Sequence, residues 1–98
     1  MTTKYVHKHQ LPFPWEKSAF TLDLPSGTIL DVQRQEQYPV LWHLHRGGDT
    51  RPVGFRWVAT GEPVTEAMGG WVHVATVQFV RYGYVAHLFL TADGGLLP

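Results

Sequence analysis

The sequence predicts an all-β protein, a small antiparallel β-sandwich or partly open barrel of about seven strands. Short segments alternate apolar and polar residues with the period of two that strands require, and turn residues separate them at hairpin spacing. The strongest of these segments, residues 71–80 (WVHVATVQFV), is rich in the β-branched and aromatic residues that favour strands. The only segment with helical character, residues 64–68 (VTEAM), is too short to form a stable helix alone.

The predicted strands are residues 3–10, 20–24, 28–34, 38–45, 53–60, 71–80 and 84–90. Pro25-Ser26-Gly27 closes the second strand, and Gly47-Gly48-Asp49 is a hairpin signal. Residues 11–17 (LPFPWEK) contain two prolines, which cannot donate to a sheet ladder, so a loop or edge excursion is expected there. The alternation predicts a core containing Phe20, Leu22, Leu24, Val32, Val40, Leu44, Val77 and Leu88.

Length and charge limit the possible classes of protein. A chain of 98 residues is expected to form one domain, residues 1–98, with its folded part at about 3–90 and a C-terminal tail at 91–98. The 8 Lys+Arg balance 8 Asp+Glu, which disfavours nucleic acid and membrane surfaces as partners. No apolar run approaches the roughly 20 residues of a membrane span, and the polar N-terminus does not look like a signal peptide. A cytoplasmic protein is expected.

Aromatic content also predicts self-association. Trp15, Trp42, Trp57 and Trp71, with four tyrosines and five phenylalanines, are more than a domain of this size easily buries. Some rings should therefore remain for a partner chain or a ligand, and a homo-oligomer built on a sheet face or on residues 11–17 is expected. The alternative is a tryptophan-rich core with a few half-exposed rings.

The residues for catalysis or metal binding are poorly arranged. His7/His9 and His43/His45 are both H-x-H pairs, and His87 could add a third imidazole, but no carboxylate follows at the spacing of a cupin-type site. Cysteine is absent, and neither serine lies in a nucleophile elbow. We therefore expect no enzyme, no cofactor and no metal.

A binding constellation remains. Arg56, Thr60 and Gly61 combine a guanidinium, a hydroxyl and a strand end that could cradle phosphate, and aromatic faces stack nucleobases. The predicted ligand-binding residues are Trp42, His43, Arg56, Trp57, Thr60, Gly61 and His87. The alternative is that Trp42 and Trp57 belong to the core and that Arg56 pairs with a surface acid.

Several short motifs occur in a characteristic order between Phe20 and Leu90. They are Leu24-Pro25-Ser26-Gly27, Val32-Gln33, Leu41-Trp42, Thr60-Gly61-Glu62-Pro63, Thr76-Val77-Gln78 and His87-Leu88-Phe89. In these the chain resembles a domain of unknown function that is common in tailed-phage genomes.

The resemblance implies a phage-type protein. Small phage β domains of this sort are similar to immune-evasion "sponges", oligomers that sequester cyclic oligonucleotide or ADP-ribose-type signals of bacterial defence. The expected function is thus reversible sequestration of a small anionic nucleotide without hydrolysis. The alternative is a homo-oligomeric interaction module that acts on a host protein and has no small-molecule site.

Overall fold

Five antiparallel strands form a single open sheet in the computed structural model, which describes residues 3–63 and 70–91. The strands are β1 (Tyr5–Gln10), β2 (Ala19–Gln35), β3 (Tyr38–Ala59), β4 (Val72–Phe79) and β5 (Tyr84–Leu90). A short 3₁₀ turn, Val80–Tyr82, joins β4 to β5 and ends at Gly83, which has a φ of 62°. The predicted helical turn at 64–68 and most of the predicted tail, 92–98, lie outside the described residues.

The all-β antiparallel class is confirmed, but the strand count and the two-sheet or barrel arrangement are not. The structure has five strands over the described residues because two predicted pairs are continuous: residues 20–24 and 28–34 both belong to β2, and residues 38–45 and 53–60 to β3. The turn residues between them bend the strands without ending them. A glycine-rich segment can accommodate a bulge as readily as a hairpin, and local sequence does not distinguish the two.

The long strand β3 organises the sheet. Its residues Val40–His45 pair with both β1 and β2, so these two strands lie on its opposite edges. Beyond the bend, Phe55–Ala59 pair with β5, whose other edge pairs with β4. β2 follows β3 on both sides of the bend. The sheet thus has two halves, one built on each end of β3.

The bend lies where β2 and β3 shift register. Pro25 pairs with Thr50 and Gly27 pairs with His45, so Ser26 alone faces residues 46–49. Gly47 and Gly48 adopt φ values of 84° and 97°, which side chains rarely tolerate. Gly27 has a different role: a Cβ there would collide with the Leu44 carbonyl oxygen. Its bare Cα lets the two backbones approach closely at the bend.

The bend turns the same face of both halves inward. Residues directly opposite in an antiparallel ladder share a face, so Val32 and Leu41 of one half lie on the same side as Phe20, Phe55, Trp57 and Leu88 of the other. These residues join one buried cluster with Leu11, Leu24, Val77, Phe79 and Ala86. The cluster gives the folded sheet a single core.

The predicted core is largely confirmed, with an inversion in β3. Phe20, Leu24, Val32, Val77 and Leu88 are buried in the cluster, and Leu22 packs against it. The expected alternation in β3 is present, but the face with Leu41, His43 and His45 is the inner one. Leu44 is only half-buried on the outer face, and Val40 is buried outside the main cluster.

Residues 11–18 form the predicted loop and cover one end of the core. Leu11 N donates to the Pro39 carbonyl (2.9 Å), and the Trp57 backbone N donates to Ser18 O (2.7 Å). The buried Trp57 indole Nε1 donates to Pro12 O at 3.0 Å. These bonds connect the proline-rich loop to both halves of β3.

We expect Gly27→Ala to lower the free energy of unfolding by about 1–3 kcal/mol, because the added methyl group meets a backbone oxygen that moves only with its strand. Chemical denaturation followed by tryptophan fluorescence measures the change. Ser26→Ala at the neighbouring exposed position is the control and should stay within about 0.5 kcal/mol of the parent. Equal stability of the parent and Gly27→Ala would contradict the close approach.

Candidate functional site

The outward face of the first half-sheet is the strongest candidate for a binding surface. β3 occupies its centre, with β1 and β2 on either side. The register aligns side chains in three rows: Gln10, Val40 and Gln33; Lys8, Trp42 and Asp31; Val6, Leu44 and Thr28. We call this surface the outer platform. Its central strand is apolar, and its flanking strands are mostly polar, which is the usual anatomy of a binding surface.

A shallow cavity lies at each end of the outer platform. One, of about 400 Å³, is lined by Lys4, Ser26, Gly27, Thr28, Leu44, His45, Arg46 and Gly47. The other, of about 440 Å³, is lined by Lys8, Gln10, Gln35, Glu36, Tyr38 and Val40. The first combines two cations with two hydroxyls and has no carboxylate in its lining, so it suits an oxyanion. The second contains the carboxylate of Glu36, one cation, Lys8, whose Nζ donates to Gln35 Oε1 at 3.2 Å, and the side-chain amide of Gln10, which can pair with a base edge.

An exposed group of aromatic rings lies beside the second cavity. We call Phe13, Trp15, Tyr38 and Tyr82 the aromatic surface. Phe13 stacks on Trp15 with ring centroids 4.8 Å apart, Tyr82 lies 4.9 Å from Trp15, and Tyr38 lies 5.5 Å from Phe13. Trp15, Tyr38 and Tyr82 are 45%, 40% and 53% exposed. Aromatic side chains exposed together in this way are typical of binding surfaces.

The predicted anion cradle at Arg56 already holds a carboxylate. Arg56 Nη2 donates to Glu62 Oε2 at 2.9 Å, and Ala59 N donates to Glu62 Oε1 at 3.1 Å. Arg56 Nε also donates to the Trp57 carbonyl at 3.0 Å. A phosphate would have to displace Glu62 to reach these donors. The pairing of Arg56 with an acid is the alternative that the sequence left open.

Two other predicted residues, Thr60 and His87, are in direct contact. Thr60 Oγ1 lies 3.0 Å from His87 Nε2, while His87 Nδ1 lies 2.8 Å from Thr76 Oγ1. Thr76 Oγ1 is in turn 3.0 Å from His73 Nε2. The hydroxyl groups of Thr60 and Thr76 can each donate one hydrogen bond and accept another, so the hydrogen bonds among these four side chains satisfy one another. Gly61 follows Thr60 with a φ of 91°.

The structure separates the predicted site residues into three places. Arg56, Thr60, Gly61 and His87 lie on or beside the outward face of the second half-sheet, and Trp42 lies on the outer platform. Trp57 is 1% exposed in the core and offers no ring face to a ligand, whereas His43 faces inward from the first half-sheet. That any of these residues binds a ligand stays a prediction.

Four histidines lie together on the inward face of the first half-sheet. In the β1–β3 ladder His7 pairs with His43, and His9 and His45 lie on the same face. We call His7, His9, His43 and His45 the histidine cluster. Gly47 N donates to His45 Nδ1 at 2.9 Å, so the hydrogen of neutral His45 is on Nε2. His45 Nε2 lies 2.9 Å from His7 Nδ1, and His45 therefore donates this bond.

Two residues of the cluster, His43 and His9, are favoured in the neutral form. Burial lowers the pKa of His43, and the neighbouring His45, His9 and His7 lower it further. Burial likewise lowers the pKa of His9, with added contributions from His7 and His45. His43 is 3% exposed, and its Nδ1 has no hydrogen-bond partner among the described residues. No group of three or more metal-ligating side chains is in place for an ion within residues 3–63 and 70–91.

Sequence reasoning missed the outer platform as a unit because it depends on long-range register. Lys8, Trp42 and Asp31 are neighbours only because two strands pair with β3 from opposite sides. The alternation of lysine with histidine in residues 4–9 was the available signal, since it places the two residue types on opposite faces. If the histidine face had been taken as the inner face, the sequence would have predicted that Trp42 faces outward.

The fold and its surfaces define an all-β protein with one open, bent sheet and a polar-rimmed outer platform. No helix in the described part of the chain is long and apolar enough to cross a membrane. A family model described as a domain of unknown function (DUF7352) matches residues 2–95, and the chain belongs to that family. No curated protein and no solved structure matches the chain significantly.

Stability should fall as the pH drops from about 7.5 to 5. Because the folded-state pKa values of His9 and His43 lie below the ordinary histidine value of 6.5, the unfolded chain binds protons first. The contribution of these groups is present above pH 6.5 and is lost as the pH falls through the folded-state values. We expect His43→Leu to flatten this dependence, because it removes a titrating group and a buried nitrogen without a partner.

Denaturant unfolding at several pH values measures this dependence. His73→Leu, which alters an exposed histidine on the outward face of the second half-sheet, is the matched control and should retain the parent's acid sensitivity. A parent protein equally stable at pH 7.5 and 5 would contradict the prediction.

Proposed function

We propose that the protein binds a small anionic nucleotide on the outer platform and sequesters it without turning it over. The observation that carries this proposal is the row Lys8, Trp42 and Asp31, with an aromatic ring at the centre of a polar-rimmed face. The cavities at both ends of this face provide the concave surface that a small ligand requires. In the phage setting that the resemblance implies, the ligand would be a defence signal.

Trp42 supplies the stacking surface in this proposal. It is half-buried, so its ring is held by its neighbours while part of it remains accessible. A base stacked on an aromatic side chain is typically worth about 1–3 kcal/mol. Gln10 and Gln33, in the adjacent row, carry amides that can both donate to and accept from the edge of a base.

Cations at the ends of the outer platform would hold the phosphates. Lys4 and Arg46 line the first cavity, and neither forms a salt bridge with any described residue. Asp31 competes only weakly with a ligand phosphate for the cations of the outer platform, because its carboxylate oxygens already accept bonds from Val32 N (2.8 Å) and Gln33 Nε2 (2.6 Å). By contrast, Arg56 on the other outward face is neutralised by Glu62. Charge therefore favours the outer platform over the site predicted from sequence.

A screen of cyclic dinucleotides, cyclic trinucleotides and ADP-ribose by thermal shift and calorimetry tests the proposal. We expect Trp42→Leu to weaken binding of the best ligand roughly 10- to 100-fold, because it keeps apolar volume but removes the stacking face. Arg46→Ala should also weaken it, by loss of a phosphate contact.

The matched control is Arg56→Ala, which removes a cation from the other outward face and should leave the affinity unchanged. Loss of binding in Arg56→Ala with full affinity in Trp42→Leu would return the site to Arg56. After incubation and heat denaturation, the supernatant should contain the nucleotide intact, and a cleaved product would contradict sequestration.

The aromatic surface supports a second candidate function, a self-associating interaction module. Its rings rest on the core through Trp15 and Phe79, whose centroids are 5.4 Å apart, so they form a firm surface. Exposed Val80 adds apolar area beside Tyr82. Residues 11–17 were the part of the sequence expected to pack against another copy.

We expect the parent protein to elute as an oligomer in light scattering at tens of micromolar. Trp15→Ser should shift it toward the 11.1 kDa monomer, because the interface loses its central ring. Tyr5→Ser, at an equally exposed aromatic residue elsewhere, is the control and should not change the mass. A monomeric parent would exclude self-association and leave this surface for another partner.

A further inference from the structure

The strand β1 links the outer platform to the histidine cluster. Its side chains alternate, so Lys8 and Gln10 lie on the outer platform while His7 and His9 face inward. Lys4, one residue before the strand, lines the oxyanion-type cavity. Any event that moves β1 therefore changes both faces at once.

Among the described strands, β1 pairs only with β3, over six residue pairs from Tyr5–His45 to Gln10–Val40. Tyr5 and Val6 are 47% and 55% exposed, so little apolar burial anchors the start of the strand. Side-chain anchoring on the inward face comes from the histidine cluster: the His45–His7 bond and close ring contacts, with centroids 4.7 Å apart for His7 and His45. A short edge strand held in this way opens at low energetic cost.

The hydrogen bonds of the cluster require neutral rings. His45 Nδ1 accepts the Gly47 N–H, so a proton added there would oppose another donor. His7 Nδ1 accepts from His45, so a proton on His7 would remove that acceptor. Protonation of His7 therefore breaks the side-chain bond between β1 and β3, whereas protonation of His45 at Nδ1 breaks its bond to Gly47 within β3. Protonation of both His43 and His45 would in addition place like charges next to each other, because these two rings stack with centroids 5.3 Å apart.

Within the described residues, no histidine of the cluster forms a salt bridge, and no acidic residue is paired with the cluster in the strand ladders. β1 contributes Tyr5, His7 and His9 to this face, and β3 contributes His43 and His45. From β2, the residues paired against them are Gly27 and Ile29, which do not titrate. The other charged groups nearby, Lys4, Arg46 and Asp31, lie with the outer platform, and two of these are also positive.

We propose that protonation of the histidine cluster releases β1 from β3 and thereby abolishes nucleotide binding on the outer platform. This inference rests on the proposed function, because the coupling needs a ligand that contacts β1. It predicts that the affinity for the nucleotide falls as the pH falls, which is the opposite of what simple electrostatics predicts. New positive charges near an anion site would by themselves strengthen anion binding as the pH falls, whereas release of β1 removes Lys4, Lys8 and Gln10 from the site and weakens it.

Hydrogen exchange of the β1 amides at pH 7.5 and 5.5, corrected for the intrinsic pH dependence of exchange, tests the release. We expect protection of β1 to fall at least 10-fold relative to that of β5 at the lower pH. His7→Gln should retain protection, because its side-chain oxygen still accepts from His45 but does not titrate. The control is His87→Gln, which makes the same chemical change on the outward face of the second half-sheet, away from β1, and should behave like the parent.

Binding of ADP-ribose, measured by calorimetry at the same two pH values, tests the coupling. We expect its affinity for the parent to fall at least 10-fold at pH 5.5 and its affinity for His7→Gln to change much less. Affinity that rises in acid would overturn the coupling even if β1 opens. Unchanged protection of β1 would overturn the release itself. Absence of binding by ADP-ribose and by every cyclic nucleotide of the screen at pH 7.5 would count against the proposed function, while the exchange experiment would still decide the release.

Discussion

The close approach of Gly27 to the Leu44 carbonyl is the constraint on which the rest of the structure depends. It holds β2 and β3 together where both strands bend, beside residues 46–49. Without the bend, the two ends of β3 would lie in a flatter sheet with one long apolar face. With it, the inward faces of both halves meet in one core, and the hydrophobic area required to stabilise a chain of this size becomes available.

The same bend explains which features of the fold could be predicted from the sequence. Period-two alternation identified every strand and the two faces of β3. It did not reveal that Pro25-Ser26-Gly27 and Gly47-Gly48-Asp49 face each other as paired irregularities, because that depends on residues some twenty positions apart in the chain. Read separately, each segment has the composition of a turn, and the result was two additional strands.

The inversion of faces in β3 has a different cause. Hydropathy favours Val40, Trp42 and Leu44 over Leu41, His43 and His45 as the inner set. The structure buries His45 where His7 and the Gly47 amide satisfy its two ring nitrogens, whereas the buried Nδ1 of His43 has no hydrogen-bond partner among the described residues. Buried polar groups are tolerated when they are paired, and the pairing partner of His45 is 38 residues away. The composition of a single strand does not indicate that such a distant partner exists. The candidate surface was predicted only in part for the same reason: Trp42 was among the predicted ligand-binding residues, but the lysines of β1 and its start were not, and binding at Trp42 stays a prediction.

Histidine is well suited to this position. A leucine at 7 or 45 would bury more apolar surface and hold β1 more firmly, whereas asparagine or glutamine would hydrogen-bond with no dependence on pH. Imidazole is the only common side chain that forms such a bond near neutrality and loses it in mild acid. In our proposal, the first half-sheet therefore combines a polar-rimmed outward face with an inward face whose cohesion depends on proton concentration. Adjacent residues of β1 alternate between these two faces, so any movement of β1 displaces side chains on both faces.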